Sequence, residues 1–384
     1  MRGRPTAWLT LFSVTVPSYD GRVTTAGSPA TTPESLDAAA LDIYRRELTA
    51  HCYRMLGSAA EAEDAVQETY IRAWRAADSF EGRSSVRSWL YRIATNICID
   101  MGRSPQRRAR PVDLGPASPP DPALVGGTWS EVHWLSPIPD ERVASSTDPS
   151  TAAEVHESIR LAFVAALQHL PARQRAVLVL CEVLRWPAAE VADLLDTSVA
   201  SVNSALQRAR ATMAAADLDD SRPVPLADAD AELLERFVTA FEAYDMTALV
   251  QLLRDDVHFS MPPYPIWFEG PADVVSWITG PGIECKDGRM LPAGSGNGCP
   301  AFASYRRDPA GGFSPWALHI LEINGDRIAS WTNFLDPDLF PAFGVPTHLD
   351  DDGGPDGVVP AQAVEGGEVA GSDGTGNRWS VGDE

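Results

Sequence analysis

Apolar side chains recur at helical spacing near the middle of the chain. One apolar stripe follows Pro187, which suits the first position of a helix. A second stripe of Val199, Val202 and Leu206 follows Ser198, a good helix N-cap. This pattern predicts two short helices joined by a tight turn, with the second stripe facing the core.

The other face of the second helix is rich in hydrogen-bonding side chains. They are Ser201, Asn203, Ser204, Gln207, Arg208 and Arg210. Such side chains can contact phosphates and base edges in a major groove, so the pattern predicts a DNA-reading helix-turn-helix. The alternative is an amphipathic helical hairpin in an ordinary core.

An upstream segment combines basic and aromatic residues. Residues 83–110 hold seven Arg and one acid, and Phe80, Trp89 and Tyr91 interleave with them. Arginine side chains pair with phosphates, and aromatic rings stack on unstacked bases. This composition therefore favours binding of single-stranded nucleic acid. The alternative is a solvated basic helix with its aromatic rings in a core, and the spacing from Trp89 to Ile97 does predict a largely buried face.

Ordered motifs connect these two segments: D-x-x-Q-E, R-A-W, F-x-G-x-S, W-L-Y-R-I-A-x-N, L-P-x-x-Q-R and a terminal R-A-R. In this order they resemble the extracytoplasmic-function (ECF) sigma factors of bacterial RNA polymerase. The resemblance covers roughly residues 37–110 and 154–216. It implies a non-enzymatic protein that binds core RNA polymerase and promoter DNA to start transcription.

The resemblance also implies roles for individual residues. The residues that match the polymerase-binding positions of the family are Asp64, Gln67, Glu68, Arg72 and Trp74. The residues to which the resemblance assigns recognition of the promoter minus-ten element are Phe80, Arg83, Ser84, Trp89, Asn96, Arg103, Arg107 and Arg108. The six polar residues of the helix-turn-helix read the minus-thirty-five element. Asn203 stands where the family often has a basic residue, which weakens any inference about the promoter sequence.

A third part of the chain follows Pro223. Its pattern predicts a helix pair over 230–253, a short helix over 272–278, and strands at 257–259, 301–306, 316–323 and 327–335. This order resembles the SnoaL-like cone. The expected fold is therefore multidomain: two all-α sigma modules, a helical bundle and a helix-turn-helix, plus an α+β SnoaL-like cone with a curved antiparallel sheet.

The cone carries polar and aromatic candidates for a pocket. We expect a regulatory pocket lined by His258, Trp267, Glu269, Trp316, His319 and Trp331, with Tyr264 and Asp273 nearby, open to a small-molecule ligand. The favoured function is a sigma factor regulated in cis by this cone. The alternative is a cyclase or isomerase, with an acid/base pair in the cone and a helical anchoring region.

Domain boundaries follow from these assignments and from composition. The expected order is a disordered segment at 1–34, sigma region 2 at 35–110, a Pro-rich linker at 111–153, sigma region 4 at 154–216, the cone at 226–348 and an acidic disordered tail at 349–384. Trp129 and Trp134 of the linker either pack within the protein, which we favour, or line the polymerase channel.

Overall composition adds three constraints. The 384 residues carry a formal net charge of −22, and the acids concentrate after the DNA-reading segments. The five Cys lack zinc spacing, so no metal site and no cofactor are expected. No apolar run has the length of a membrane span, so a cytoplasmic protein is expected.

Overall fold

The computed structural model describes residues 41–80, 82, 84–102, 108–126, 134–144, 149–215, 228–351 and 354. Its helices are α1 (Arg45–Leu56), α2 (Ala59–Arg75), α3 (Val86–Met101), α4 (Pro149–Ile159), α5 (Leu161–Leu167), α6 (Ala172–Leu178), α7 (Ala188–Leu194), α8 (Val199–Ala215), α9 (Asp228–Glu242), α10 (Met246–Leu252) and α11 (Pro271–Thr279). The strands are β1 (Leu253–Ser260), β2 (Trp267–Glu269), β3 (Arg289–Gly296), β4 (Cys299–Arg307), β5 (Phe313–Asn324) and β6 (Arg327–Phe334).

Helices α1 to α3 form the first bundle, which we call the region 2 module. Ser58 caps α2 and Ser85 caps α3, because each hydroxyl accepts a backbone N–H of the first turn. Helix α1 ends at Gly57, whose φ is 71°. A Cβ at Gly57 would lie 2.6 Å from a methyl group of Leu135, so the linker packs directly against this helix end.

Helices α4 to α8 form the second helical unit, the region 4 module, and α7 and α8 make the predicted helix-turn-helix. The Ser198 hydroxyl accepts the backbone N–H of Ser201 at 3.2 Å, which confirms the N-cap. Val199 was expected to face inward, and this is wrong: it is 43% exposed. The buried side of α8 begins one turn later, at Val202, because Val199 lies in the first turn, before the helix meets its neighbours.

Six strands form the sheet of the cone in the order β2-β1-β6-β5-β4-β3. All pairs are antiparallel except β1 and β6, which run parallel, so the sheet is mixed. The pattern of residues did not predict β3. This strand contains Pro292, Gly294 and Gly296, which have low strand propensity.

The two faces of this sheet pack against different parts of the chain. On the helix face, Phe302 packs against Phe237 of α9, with ring centroids 5.9 Å apart. On the opposite face, which we call the sigma face, Ala301 and Tyr305 belong to one continuous buried cluster with Tyr53 of α1. Strand alternation thus gives the cone two cores, and one of them is shared with the sigma modules.

The edges of the domains differ in places from the expected boundaries. Helix α4 begins at Pro149, inside the segment assigned to the linker. Leu349, assigned to the acidic tail, exchanges two backbone hydrogen bonds with Phe313 of β5, at 2.8 and 3.0 Å. The cone therefore extends at least to Leu349. The expected disordered segment 1–34 and nearly all of the expected tail lie outside the described residues.

Candidate polymerase, nucleic-acid and ligand interfaces

Five residues of helix α2 form a continuous strip on the surface of the region 2 module. This docking strip comprises Asp64, Gln67, Glu68, Arg72 and Trp74. Helical spacing places them together, while the opposite side of α2 is buried. Trp74 is 72% exposed, which is unusual for so large a ring. Arg72 donates to Glu68 at 2.7 Å, so the strip contains an ion pair as well as the exposed indole ring of Trp74.

The residues expected to read the minus-ten element are only partly assembled. Phe80 and Trp89 are in ring contact, with centroids 4.7 Å apart. Ser84 and Asn96 are exposed, and Asn96 lies seven residues after Trp89 on α3, hence on the same side. Trp89 and Asn96 therefore lie on one side of α3, and Phe80 packs against Trp89 there. Arg83, Arg103 and Arg107 lie outside the described residues.

Arg108 is not available on this surface, because its side chain is engaged inside the protein. It donates to Glu61 at 2.6 Å and to the backbone oxygen of Trp134 at 2.9 Å, and it is 11% exposed. It therefore ties the linker to α2 in this structure. Trp134 itself is buried, as expected for packing within the protein, and Trp129 lies outside the described residues.

Helix α8 presents all six expected minus-thirty-five residues to solvent. They are Ser201, Asn203, Ser204, Gln207, Arg208 and Arg210. Arg208 donates to Ser204 one turn earlier at 2.7 Å, and Arg210 pairs with Glu182. Asn203 and Gln207, which are four residues apart, form a further polar pair of positions on the exposed side.

The two sigma modules contact each other through α3 and α7. The guanidinium of Arg92 donates to the backbone oxygen of Asp193 at 2.6 Å. Arg87 lies over the rings of Tyr91 and Trp186, at 5.0 and 5.6 Å from their centroids. The helix carrying Asn96 and the first helix of the helix-turn-helix are therefore held side by side.

The cone contains a cavity of about 270 Å³ on the helix face of the sheet. Of the expected pocket residues, Trp316, His319 and Trp331 line it, and Tyr264 joins them. The cavity is also lined by Phe241, Phe259, Trp277 and Asn333, which no motif singles out and which only strand and helix periodicity could have indicated. Six of the seventeen lining residues are Phe, Tyr or Trp, and the lining also includes the charged residues Glu284 and Arg306.

His258, Trp267 and Glu269 do not line this cavity, contrary to expectation. His258 precedes Phe259 on β1, and successive residues of a strand face opposite sides, so His258 faces away. Its ring packs against Trp267 at 5.1 Å. The Trp267 indole donates to the backbone oxygen of Gly115 at 2.9 Å, and Glu269 is exposed. Trp267 thus binds the linker rather than a ligand.

His319 is the polar group most deeply set in the cavity wall. It is 3% exposed, and burial lowers its pKa to about 3. The Trp331 indole donates to its Nδ1 at 2.8 Å. The imidazole is therefore neutral, and the side chain of Asn333, its neighbour across the strands, forms a hydrogen bond with it that opposes the lowering of its pKa.

A junction between the cone and the sigma modules is centred on Asn297, at the tip of the β3–β4 hairpin. Its Nδ2 donates to the hydroxyl of Tyr53 at 2.7 Å and to the backbone oxygen of Ile159 at 2.6 Å. Its Oδ1 accepts the backbone N–H of Ile138 at 3.0 Å. One side chain thus binds the region 2 module, the region 4 module and the linker.

Two further polar contacts support this junction. Arg160 of the region 4 module pairs with Glu322 of β5 at 2.8 Å, and both side chains are nearly buried. Asp140 of the linker accepts the backbone N–H of Gly298 at 2.9 Å, and burial raises the pKa of its carboxyl group. Sequence reasoning missed these residues, although Asn297-Gly298 is a typical hairpin turn.

In the described parts of the chain, no group of three or more His, Cys, Asp or Glu side chains is placed to hold a metal ion. None of the helices described there is long and apolar enough to cross a bilayer.

Comparison with known proteins gives a consistent result. Residues 41–108 match the model of sigma-70 region 2, and residues 160–213 match that of sigma-70 region 4. The ECF RNA polymerase sigma factor SigG of Mycobacterium tuberculosis is 47% identical over 315 residues, which cover 80% of this chain and 83% of that protein. SigW of Bacillus subtilis is 31% identical over 178 residues, covering 44% of this chain and 82% of SigW.

The architecture also has a counterpart among solved structures. The crystal structure of the extracytoplasmic function sigma factor SigJ of Mycobacterium tuberculosis matches with a TM-score of 0.53 at 23% identity, over 81% of this chain and 100% of that chain. This likeness supports the fold, in which a SnoaL-like cone follows two sigma modules. From the two region models and the extent of the similarity to SigG, the chain belongs to the ECF sigma factors of bacterial RNA polymerase.

Proposed function

We propose that this sigma factor, acting in the cytoplasm, binds core polymerase through the docking strip and reads promoters with α3 and α8. We further propose that its cone regulates it in cis, by holding the two sigma modules together. The sigma factors are non-enzymatic initiation factors, and promoter-directed initiation is the activity on which this regulation acts.

The contact between α3 and α7 supports a closed state. The minus-ten and minus-thirty-five elements are about 25 base pairs apart, which is roughly 85 Å of duplex at about 3.4 Å per base pair. Two small modules in direct contact cannot reach both elements at once, because a domain of about 100 residues has a radius of gyration of only about 13 Å. Promoter recognition therefore requires the modules to separate.

The junction at Asn297 is the observation that carries the regulatory proposal. A single buried side chain from the cone satisfies polar groups of both sigma modules and of the linker. Separating the modules would leave these groups without partners until water or polymerase replaces them. The cone therefore stabilises the closed state directly, and tethering makes this contact effectively intramolecular.

A charge swap tests the proposal on the full-length protein. We expect Arg160→Glu and Glu322→Arg, made singly, to open the protein, because each places like charges at a nearly buried contact; disrupting such a pair costs about 3–5 kcal/mol. The combined swap restores opposite charges. The radius of gyration from small-angle scattering and run-off transcription with core polymerase should both rise in the single variants and return towards wild type in the double variant.

The matched control is Asp256→Arg, a charge reversal at an exposed position of the same cone. It should leave both measurements unchanged. Single variants that keep wild-type compactness and wild-type transcription would refute cis regulation through this junction.

Promoter reading by α8 gives a further expected result. Arg208→Ala should weaken holoenzyme binding to promoter fragments by about 1–3 kcal/mol, the range for one good base contact, without loss of stability because the side chain is exposed. The fragments are those that wild-type holoenzyme selects from a randomised pool. Arg236→Ala, at an exposed position of α9, serves as the control. Unchanged promoter selection by Arg208→Ala would exclude α8 as the reading helix.

The cavity in the cone is the proposed entry point for a regulatory small molecule. A ligand shifts the balance between closed and open states only if it binds them with different affinity. The enzyme alternative gains no support from the geometry, because His258 and Glu269 lie away from the cavity that His319 lines. An acid/base pair is therefore not assembled from these groups.

A further inference from the structure

The first turn of helix α8 carries an exposed apolar side chain. Val199 is 43% exposed, and the buried side of the helix begins only at Val202. In a helix-turn-helix, the first residues of the second helix are the ones that contact base edges in the major groove. Val199 therefore lies where a base edge meets the helix when the region 4 module binds DNA.

Val199 continues a stripe of exposed side chains along α8. Asn203 and Gln207 follow it at intervals of four residues, so the three lie one turn apart on the same side of the helix. Four residues of helix advance about 6 Å, and base pairs are about 3.4 Å apart. When the helix lies along the groove, neighbouring members of the stripe therefore reach base pairs about one or two steps apart.

The stripe is free of the internal contacts that engage other polar side chains of α8. The hydroxyls of Ser198 and Ser201 share a hydrogen bond at 3.0 Å, and Arg210 pairs with Glu182. Among the described residues, by contrast, the side chain of Asn203 makes no hydrogen bond. The stripe can thus contact DNA without breaking a bond within the protein.

The chemistry of the stripe matches A·T base pairs. The C5-methyl group of thymine is the apolar feature of the major groove, and an apolar side chain that covers any other base edge leaves donors or acceptors unsatisfied. An asparagine side chain pairs with N6 and N7 of adenine through two hydrogen bonds. A valine one turn before an asparagine therefore suits two A·T base pairs that lie close together.

We propose that Val199 is a specificity-determining residue that packs against the methyl group of a thymine in the minus-thirty-five element. This thymine lies about one or two base pairs from an adenine that Asn203 contacts. The inference rests on the proposed reading of the element by α8.

Replacing thymine by uracil tests the contact, because the two bases differ by the methyl group alone. Each thymine of the minus-thirty-five element, on either strand, is replaced in turn in the promoter fragments that wild-type holoenzyme selects. We expect the replacement at one position to weaken holoenzyme binding about fourfold, the effect of removing one methyl group from an apolar contact. Fluorescence anisotropy of labelled fragments measures the dissociation constants.

Two variants test the residues. Val199→Ala withdraws the apolar contact at an exposed position, so it should bind the thymine fragment about fourfold more weakly than wild type, and the uracil fragment no more weakly than the thymine fragment. Asn203→Ala should relax the selection of adenine near the sensitive thymine. Val250→Ala makes the same change at an exposed valine of α10 and should keep the wild-type preference for thymine.

Three outcomes would overturn the inference. Wild-type holoenzyme binds every uracil fragment as tightly as the thymine fragment, Val199→Ala keeps the wild-type preference for thymine, or Asn203→Ala leaves the selection of every base unchanged. The uracil comparison probes one methyl group, whereas Arg208→Ala tests α8 as a whole. Altered promoter selection by Arg208→Ala without any effect of uracil would refute the contact of Val199 and leave the reading by α8 intact.

Discussion

We expect replacement of Asp64 and Glu68 together by arginine to abolish binding to core polymerase and to leave the fold intact. Asp64 is exposed, and Glu68 pairs with Arg72 at the surface, so the free energy of unfolding should change by less than about 1 kcal/mol. Two carboxylates become two cations in the docking strip, which inverts its electrostatic complementarity to the polymerase.

The measurement is a pull-down with purified core polymerase, alongside circular dichroism and a thermal melt. The matched control is Glu232→Arg with Glu235→Arg, two exposed positions of α9 that make the same change of charge on the cone. Full retention of polymerase by the Asp64 and Glu68 variant would show that the docking surface lies elsewhere.

We expect replacement of Asn297 by glycine to open the protein and to raise transcription in vitro. Asn297 has a φ of 55°, a conformation that glycine adopts freely, so the change removes the side chain without straining the backbone. Its three buried hydrogen bonds are lost, and groups such as the hydroxyl of Tyr53 lose a partner. The cost to the closed state is about 1–3 kcal/mol, roughly a fivefold to 150-fold shift towards the open state.

Small-angle scattering and run-off transcription measure this shift. Asn324→Gly makes the same change at the β5–β6 hairpin of the same cone and should behave as wild type. If Asn297→Gly stays as compact and as active as that control, the hairpin tip does not hold the modules together.

Features set by local periodicity could be predicted from the sequence. The exposure of the docking strip and of the polar face of α8 follows from helical spacing: ten of these eleven positions are exposed, and Glu68 is half-exposed. The same reasoning failed at Val199, because the position where a helix begins to touch its neighbours depends on the tertiary packing and not on the spacing within the helix.

Features set by long-range contacts could not be predicted. Arg108 lies in a basic run that suggests DNA, yet Glu61 and Trp134, distant in sequence, bind its side chain. The bond between Asn297 and Tyr53 spans 244 positions. His258 is a partial exception, because assigning Phe259 to the core would have placed it on the other face of β1.

The buried cluster shared by the sheet and the sigma modules affects the equilibrium between closed and open molecules. Opening uncovers part of the apolar cluster that the sigma face shares with the sigma modules, and exposing apolar surface to water costs free energy in proportion to its area. Under the proposed regulation, an open molecule without polymerase therefore recloses, and one bound to polymerase stays open. The population of active sigma factor then follows the supply of free core enzyme, with no separate inhibitor required.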